Sequence, residues 1–424
     1  MKILFVHQNF PGQFKHLAPA LVAMGHEVVA LAMKAKAVES CGVTLLHYAV
    51  TRGSSPDIHP WVGDLESKAI RAEASFHAAR QLRDQGFSPD VIIAHAGWGE
   101  SLFLKDVWPR AKLGIYCEFF YHAKGTDVDF DPEFHSPDDS DACRIRLKNI
   151  NNMLHFNIAD AGIAPTRWQA DTFPQSFRGR IAVVHDGIDT AVIAPNPHVR
   201  LTLGGGLSLT RSDEVITFVN RNLEPCRGYH IFMRALPEIL RRRPRARVLI
   251  VGGSGVSYGP RPAGGGGWRD VFADEVRGRI AAADWDRVHF LGKIAYDHFI
   301  PLLQLSTVHV YLTYPFVLSW SLLEAMSVGC AIVASDTGPL REVMRHDDTG
   351  RLVDFFDVAG LADEVCTLLD DPERRTRLGA AARVFAQANY DLRRVCLPRQ
   401  VQWVQTMAEG PGGGSGHWNQ PSSP

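Results

Sequence analysis

The chain has 424 residues, 46% of them hydrophobic, with a formal net charge of -1 and seven scattered cysteines. That length fits two domains, or roughly three on a prior of about 150 residues each. A balanced charge speaks against nucleic acid as a partner, and cysteines without CxxC spacing exclude a zinc ribbon or a disulfide framework.

Met1 to Leu31 lacks the form of a signal peptide, because His7, Gln8, Asn9 and Pro11 break its apolar run. No apolar run approaches the ~20 residues that span a bilayer. A soluble, cytoplasmic protein is the expectation. KILFVH (Lys2 to His7) has the continuous apolar character of a central parallel strand. A loop, a helix from Phe14 to Met24 closed by Gly25, and a strand from Val28 to Ala32 complete a first β-α-β unit. Gly12 stands between strand and helix, where a ligand can approach the backbone closely. A long helix follows over Asp64 to Gln85, then a strand from Asp90 to His95 that runs into a Gly-flanked turn. His95 and Trp98 therefore sit at a strand's carboxyl end, as site residues or as a satisfied histidine and a packing tryptophan.

The strand GIYCEFF leads into Glu118, Tyr121, His122 and Lys124, and then Asp127, Asp129 and Asp131 alternate. Alternating carboxylates suit either a metal or a solvated loop; the glycine of a calcium loop is missing, so no metal is expected. Strands at Asp160 to Ala164 and Arg180 to His185 precede a Pro/Gly/Ser-rich stretch, Pro195 to Asp213, that reads as a linker.

A second doubly wound domain begins with the strand Val215 to Asn220. Arg221 and Arg227 flank its strand-to-helix loop, and Gly228 opens the helix. Arginines 241, 242, 243, 245 and 247 gather at the helix end, where its dipole favours cations and where anionic lipid contact is conceivable. RVLIVGG is the next strand; the glycine-rich loop after it lacks the Gly-Lys-Ser/Thr ending of a P-loop. VHFLGK (Val288 to Lys293) is another strand. Then comes TVHVYLT, a turn at Tyr314-Pro315, the helix LLEAMSVG ended by Gly329, and the strand AIVAS. Glu324 lies in that helix, either placed to accept hydrogen bonds from two vicinal hydroxyls such as a ribose presents or as one solvated carboxylate on a buried helix. Helices over Val358 to Asp371, Pro372 to Asn389 and Leu392 to Met407 follow, and the residues from Glu409 read as disordered.

LLEAMSVGCAIVASDTGPLREV resembles the donor-site segment of family-4 retaining glycosyltransferases, whose pattern is a Glu, seven residues, and a second Glu before Ala-Met. Glu324-Ala325-Met326 matches the second Glu; the first falls at Phe316. HDGIDTAVIAP resembles the family's crossing between domains, and Arg221 with Arg227-Gly228 resembles its Arg and Lys-Gly pair. The resemblance implies an α/β GT-B architecture: two doubly wound, Rossmann-like domains facing across a cleft. It places an acceptor domain at 1–195, a nucleotide-sugar domain at 196–390, and a helix at 391–408 crossing back to the first domain.

The same resemblance implies transfer of a sugar from a nucleotide donor to a hydroxyl acceptor (saccharide, lipid-linked or small molecule) with retention, in polysaccharide or glycoconjugate synthesis. No cofactor is implied beyond the nucleotide-sugar substrate. Gly12, Arg221, Arg227, Gly292, Lys293, Ser319, Trp320, Ser321 and Glu324 become donor candidates, Arg221 and Arg227 also stabilising the leaving diphosphate. His95, Trp98 and Tyr121 become acceptor candidates, and Glu118 and His122 catalytic ones, His122 lying nearest the family's histidine. A nucleotide-sugar epimerase on the same architecture and a non-catalytic nucleotide-sugar sensor, made thinkable by Phe316, are the alternatives. A dinucleotide oxidoreductase is disfavoured because Val6 to Phe14 lacks GxGxxG.

Overall fold

The computed structural model describes residues 1–34, 42–135 and 138–410; Cys41 and residues 411–424 of the tail lie outside the described residues. The chain divides into two compact units. Met1–Ala123, the stretch up to Gly187 and the chain from Arg393 form the first; Ile188–Leu392 forms the second, together with the segment from Lys124 to His135. The units thus part between Gly187 and Ile188 and not at 195, and part of the N-terminal half belongs to the second unit.

The first unit is built on seven parallel strands: β1 (Lys2–Val6), β2 (Glu27–Ala32), β3 (Thr44–His47), β4 (Val91–His95), β5 (Lys112–Tyr116), β6 (Ala161–Ala164) and β7 (Ile181–Val183). Their order is β3-β2-β1-β4-β5-β6-β7. Ile3 to Val6 and Val91 to Ala94 are fully buried, as strands covered by helices on both faces must be. Chain direction through the sheet reverses between β1 and β4, so the loops leaving those two strands diverge and open a crevice at their carboxyl ends.

Several elements differ from the sequence reading. The expected Phe14 to Met24 helix is a short 3-10 turn, Gly12–Phe14, followed by a helix over Leu17–Ala23. Helices at Asp141–Lys148 and Ile150–Ile158 were not anticipated. The last helix runs from Leu397 to Glu409 after a π-helical turn, Leu392–Cys396. It docks on the first unit through Trp403, which is fully buried; a Cβ on Gly114 of β5 would come 2.5 Å from its Cη2, so glycine is needed there.

In the second unit the expected linker forms a hairpin, β8 (Arg200–Thr202) and β9 (Ser208–Thr210). Val199 and Leu209 are buried in the unit's core, which explains why a Gly-rich stretch is held against it. Six parallel strands follow: β10 (Val215–Asn222), β11 (Arg247–Gly253), β12 (Val288–Gly292), β13 (Val308–Tyr311), β14 (Ile332–Ser335) and β15 (Arg351–Val353). The order β12-β11-β10-β13-β14-β15 repeats the first unit's reversal, here between β10 and β13. Among the described residues no helix is long and apolar enough to cross a membrane.

Candidate functional site

The carboxyl edge of β10 and β13 gathers the charged residues of the second unit. The loop after β10 turns through Gly228, whose φ of 66° and position against Leu312 (2.2 Å for an added Cβ) both demand glycine. That crossing sets Arg227 below the edge, where it is buried. Its Nη1 donates to Thr313 Oγ1 (2.8 Å) and to the Val317 carbonyl (3.1 Å), so the arginine ties the β10 loop to the β13 loop. The rings of Tyr258 and Phe316 lie 5.3 and 5.9 Å from its guanidinium carbon. Phe316 is buried and meets Tyr258 edge-on at 4.8 Å. The position where the family pattern has a carboxylate is thus part of an aromatic pair beside the arginine.

Glu224, in the same loop, is a residue the sequence reading missed. Its carboxylate accepts from the backbone N–H groups of Ser257 (2.9 Å) and Tyr258 (3.0 Å), which fastens the glycine-rich loop and brings Tyr258 into place. Burial pushes this carboxyl up despite those two bonds. Its place between two arginines in one loop was the available signal. Arg221 is exposed near the end of β10, and Lys293 is exposed just after β12. The Lys293 side chain lies over Gly253, where an added Cβ would sit 2.5 Å from its Cε. Gly292 has a φ of 64° and ends β12.

Ser319 caps the helix Trp320–Ser327: its side chain accepts from the Ser321 N–H, and its own N–H donates to Tyr311 Oη (3.1 Å). Trp320 and Ser321 are half-buried at the first turn. Glu324 is buried one turn further and accepts from Tyr296 Oη (2.6 Å). Burial and the neighbouring Glu324 carboxylate hold the Tyr296 phenol well above its usual range. Tyr296 was not found from the sequence; its helix lies 28 residues away, with no local pattern to connect the two.

The first unit's crevice is different in kind. His7 ends the β1 run; its Nδ1 accepts from the Asn9 N–H (3.0 Å), so Nε2 carries the proton and donates to Gln13 Oε1 (2.9 Å). An added Cβ on Gly12 would fall 2.1 Å from that ring, and its φ of 49° also favours glycine. His95 is buried, stacked between Trp98 (4.2 Å) and Tyr116 (5.3 Å), with its Nε2 3.8 Å from Glu118 Oε2. Burial, then the adjacent His7, hold His95 well below its usual range. The structure therefore brings His95, Trp98 and Glu118 together and adds His7 and Tyr116. Tyr121 and His122 turn elsewhere: Tyr121 lies under Lys148 Nζ (3.6 Å), and His122 Nε2 donates to the Thr172 carbonyl (2.7 Å).

Asp127, Asp129 and Asp131 do not converge on one point. Instead Asp131, Glu133 and His230 place ligand-type atoms within 4.8 Å of one another. The two carboxylates are already committed: both Glu133 oxygens accept from Arg234 (2.6 and 2.7 Å), and Asp131 Oδ2 accepts from Tyr314 Oη (2.7 Å). A cation would have to displace a bidentate guanidinium, so these residues do not fit a resident metal. The arginine run is likewise engaged. Arg241 pairs with Glu238, Arg242 with Asp363, Arg243 with Glu214 and Asp370, and Arg245 lies 3.6 Å from Glu214.

Comparison with known proteins accords with this geometry. Residues 24–193 match the glycosyl transferase family 4 group, and residues 208–385 match the glycosyl transferases group 1. A D-inositol 3-phosphate glycosyltransferase of Corynebacterium efficiens is 31% identical over 48% of this chain and 46% of its own length. The chain spans about half the length of the curated relatives it matches at this identity. Sucrose-phosphate synthase of Thermosynechococcus elongatus superposes with a TM-score of 0.73 at 19% identity, over 96% of this chain and 100% of that one. HepE of Anabaena, solved with UDP-glucose, superposes at 0.65 and 18% identity over 96% and 98%.

Two doubly wound units on parallel sheets define a protein of the GT-B fold. Its N-terminal half matches the family 4 group of glycosyl transferases and its C-terminal half matches group 1.

Proposed function

We propose that this protein transfers a sugar from a nucleotide-sugar donor to a hydroxyl acceptor, with retention of configuration, in saccharide or glycoconjugate synthesis. The observation that carries this reading is a buried arginine, Arg227, in the turn after β10 and a buried carboxylate, Glu324, in the helix that follows β13. A nucleoside diphosphate needs a cation for its phosphates and a carboxylate for its ribose, and both stand at the edge where doubly wound sheets bind ligands. Arg227, Arg221 and Lys293 supply the charge, and the capped N-terminus at Ser319 supplies backbone N–H groups. Glu324 takes the ribose hydroxyls, oriented by Tyr296.

In the reaction the acceptor oxygen forms its bond to the anomeric carbon as the bond to the diphosphate oxygen breaks. The hydroxyl proton passes to the leaving diphosphate on the same face. Negative charge collects on that diphosphate in an oxocarbenium-like transition state, where the arginines act. Phe316 occupies the place of the family's first carboxylate, which favours this donor-assisted course over a covalent intermediate. On the first unit, His95 and Trp98, with the Glu118 carboxylate 3.8 Å from His95 Nε2, offer an aromatic-walled surface of the sort that receives a hydroxyl acceptor.

A panel of nucleotide sugars scored by thermal shift tests the reading, since a ligand at about 100 times its Kd stabilises by ~2.7 kcal/mol. Binding followed by transfer to an added saccharide or polyol is the expected result. Donor isomerisation without transfer would make the protein an epimerase, and binding with neither transfer nor hydrolysis would make it a sensor.

A further inference from the structure

The segment from Lys124 to His135 lies within the N-terminal half of the sequence yet belongs to the second unit, and its contacts show how it is held. Phe130 packs on Tyr314, Phe355 and Phe356, each at 5.1 Å. Phe134 packs on His230 (5.1 Å) and Trp268 (5.2 Å). Between the two rings Asp131 is buried, and its Oδ1 accepts from the Glu133 N–H (3.0 Å). Its Oδ2 accepts from Tyr314 Oη (2.7 Å) and lies 3.0 Å from His230 Nε2, an electrostatic contact and not a well-aligned hydrogen bond.

Tyr314 opens the β13 loop, and its backbone N–H donates to the Cys226 carbonyl (3.0 Å), one residue before Arg227. Three residues further on, the Val317 carbonyl takes a hydrogen bond from Arg227. His230 stands two residues past Gly228 in the first turn of the helix that Arg227 precedes. One buried carboxylate therefore touches both loops of the sheet reversal, each within a few residues of the arginine.

We propose that Asp131 is a positioning residue for donor binding: by holding Tyr314 and His230 it fixes the two loops between which Arg227 is set. The proposal rests on the donor-site reading above. Asp131 does not meet the donor; it acts through Tyr314 on the loop carrying Phe316 and Val317. A carboxylate suits the position because a single oxygen faces a phenol and an imidazole together, which an amide does less strongly.

The test compares Asp131→Asn, Tyr314→Phe, the double variant and Glu133→Gln. Tyr314→Phe removes one oxygen and keeps the ring stack, while Glu133→Gln weakens the same segment through Arg234 without contact to Tyr314. Titration with UDP, GDP and ADP, donor KM and kcat, and melting temperature are measured for each. Asp131→Asn and Tyr314→Phe should each weaken binding of the preferred diphosphate by about tenfold, and the double variant by no more than Asp131→Asn alone, because Tyr314→Phe removes a contact that Asp131→Asn already weakens. Donor KM should rise with acceptor KM unchanged. Glu133→Gln should lower the melting temperature and leave diphosphate affinity as it was.

Unchanged affinity in both Asp131→Asn and Tyr314→Phe, with wild type binding, overturns the proposal alone. Equal loss in Glu133→Gln also overturns it, since the segment would then be a staple of the fold and nothing more. Wild type binding none of the three diphosphates overturns the donor-site reading and this proposal with it.

Discussion

The two sheet reversals share a topology and differ in chemistry. In the first unit the crevice is walled by His7, His95, Trp98 and Tyr116, rings whose burial keeps the imidazoles uncharged. In the second the same place holds a buried arginine among oxygen acceptors and a buried glutamate under a tyrosine. The difference teaches that topology decides where a ligand meets the sheet, while the residues just past the strand ends decide its charge. One edge carries buried charge, the other buried uncharged imidazoles among aromatic rings.

Removing the charge from the second edge should have the largest effect. Arg227→Ala should lower turnover by about a hundredfold, the loss of ~3 kcal/mol of transition-state stabilisation. It should also lower stability, because Thr313 and Val317 lose a buried donor, by about 1–3 kcal/mol. Arg227→Lys keeps charge but not the fork, so kinetics of both variants beside their denaturation midpoints separate the two effects. Turnover at the wild-type level in Arg227→Ala would remove the arginine from the site.

Next in size, Glu324→Gln should weaken nucleoside diphosphate binding by about tenfold, since the amide retains one acceptor without its charge. Phe316→Glu should not restore a missing contact. The new carboxylate would lie near Arg227, compete with the diphosphate for it, and occupy space shaped for a ring against Tyr258. Isothermal titration with the free nucleoside diphosphate and with the intact donor checks both; a gain of transfer in Phe316→Glu would reverse the reading of that residue.

Acid should break the comparison from the other side. Burial lowers His7 and His155 from 6.5 to about 4 and His185 to about 3, all in the first unit. These imidazoles are neutral when folded and take up protons when unfolded, so the unfolded chain binds more protons across that window. Their contribution is complete above about 6.5 and is lost as the pH falls through about 4. In the second unit His309 behaves likewise, lowered to about 4. Hydrogen exchange followed across this range should show protection in β1 and β4 lost before protection in β10 and β13. Simultaneous loss would mean that the first unit's histidines do not set its acid limit.

The smallest expected effect is that of chelation. With Arg234 holding Glu133 and Tyr314 holding Asp131, activity should survive EDTA. Loss of activity restored by Mg²⁺ or Mn²⁺ would show a cation acting at the site.

The strands were legible because parallel sheets buried on both faces leave unbroken apolar runs such as KILFV and RVLIVGG. Arg227 and Gly228 stood out because they closely follow the end of a strand, and Glu324 because Glu324-Ala325-Met326 matches a known pattern. What the sequence hid was long-range. Tyr296 and Glu324 meet across two elements, Glu224 reaches a loop more than thirty residues on, and Asp131 finds Tyr314 at a separation of 183. The acid run read as a solvated loop, with a ligand set as the alternative, because spacing was all that could be read; folding buries one of its members, Asp131. The linker was misread because Gly204 to Gly206 hid the alternation of Leu201 and Leu209 around a turn.

The order in which the chain leaves the ribosome gives one of these features another meaning. Residues Lys124 to His135 are synthesised before any strand of the second unit, yet that unit is where they pack. The helix Leu397–Glu409 is synthesised after every strand of the first unit, yet Trp403 fills the space over Gly114. Each unit therefore takes a piece from a distant part of the chain: the second cannot close its core until translation has reached Leu392, nor the first until it has passed Trp403. During that interval Phe130, Phe134 and the face of β5 are exposed apolar surface awaiting partners not yet made, the condition under which nascent chains engage chaperones.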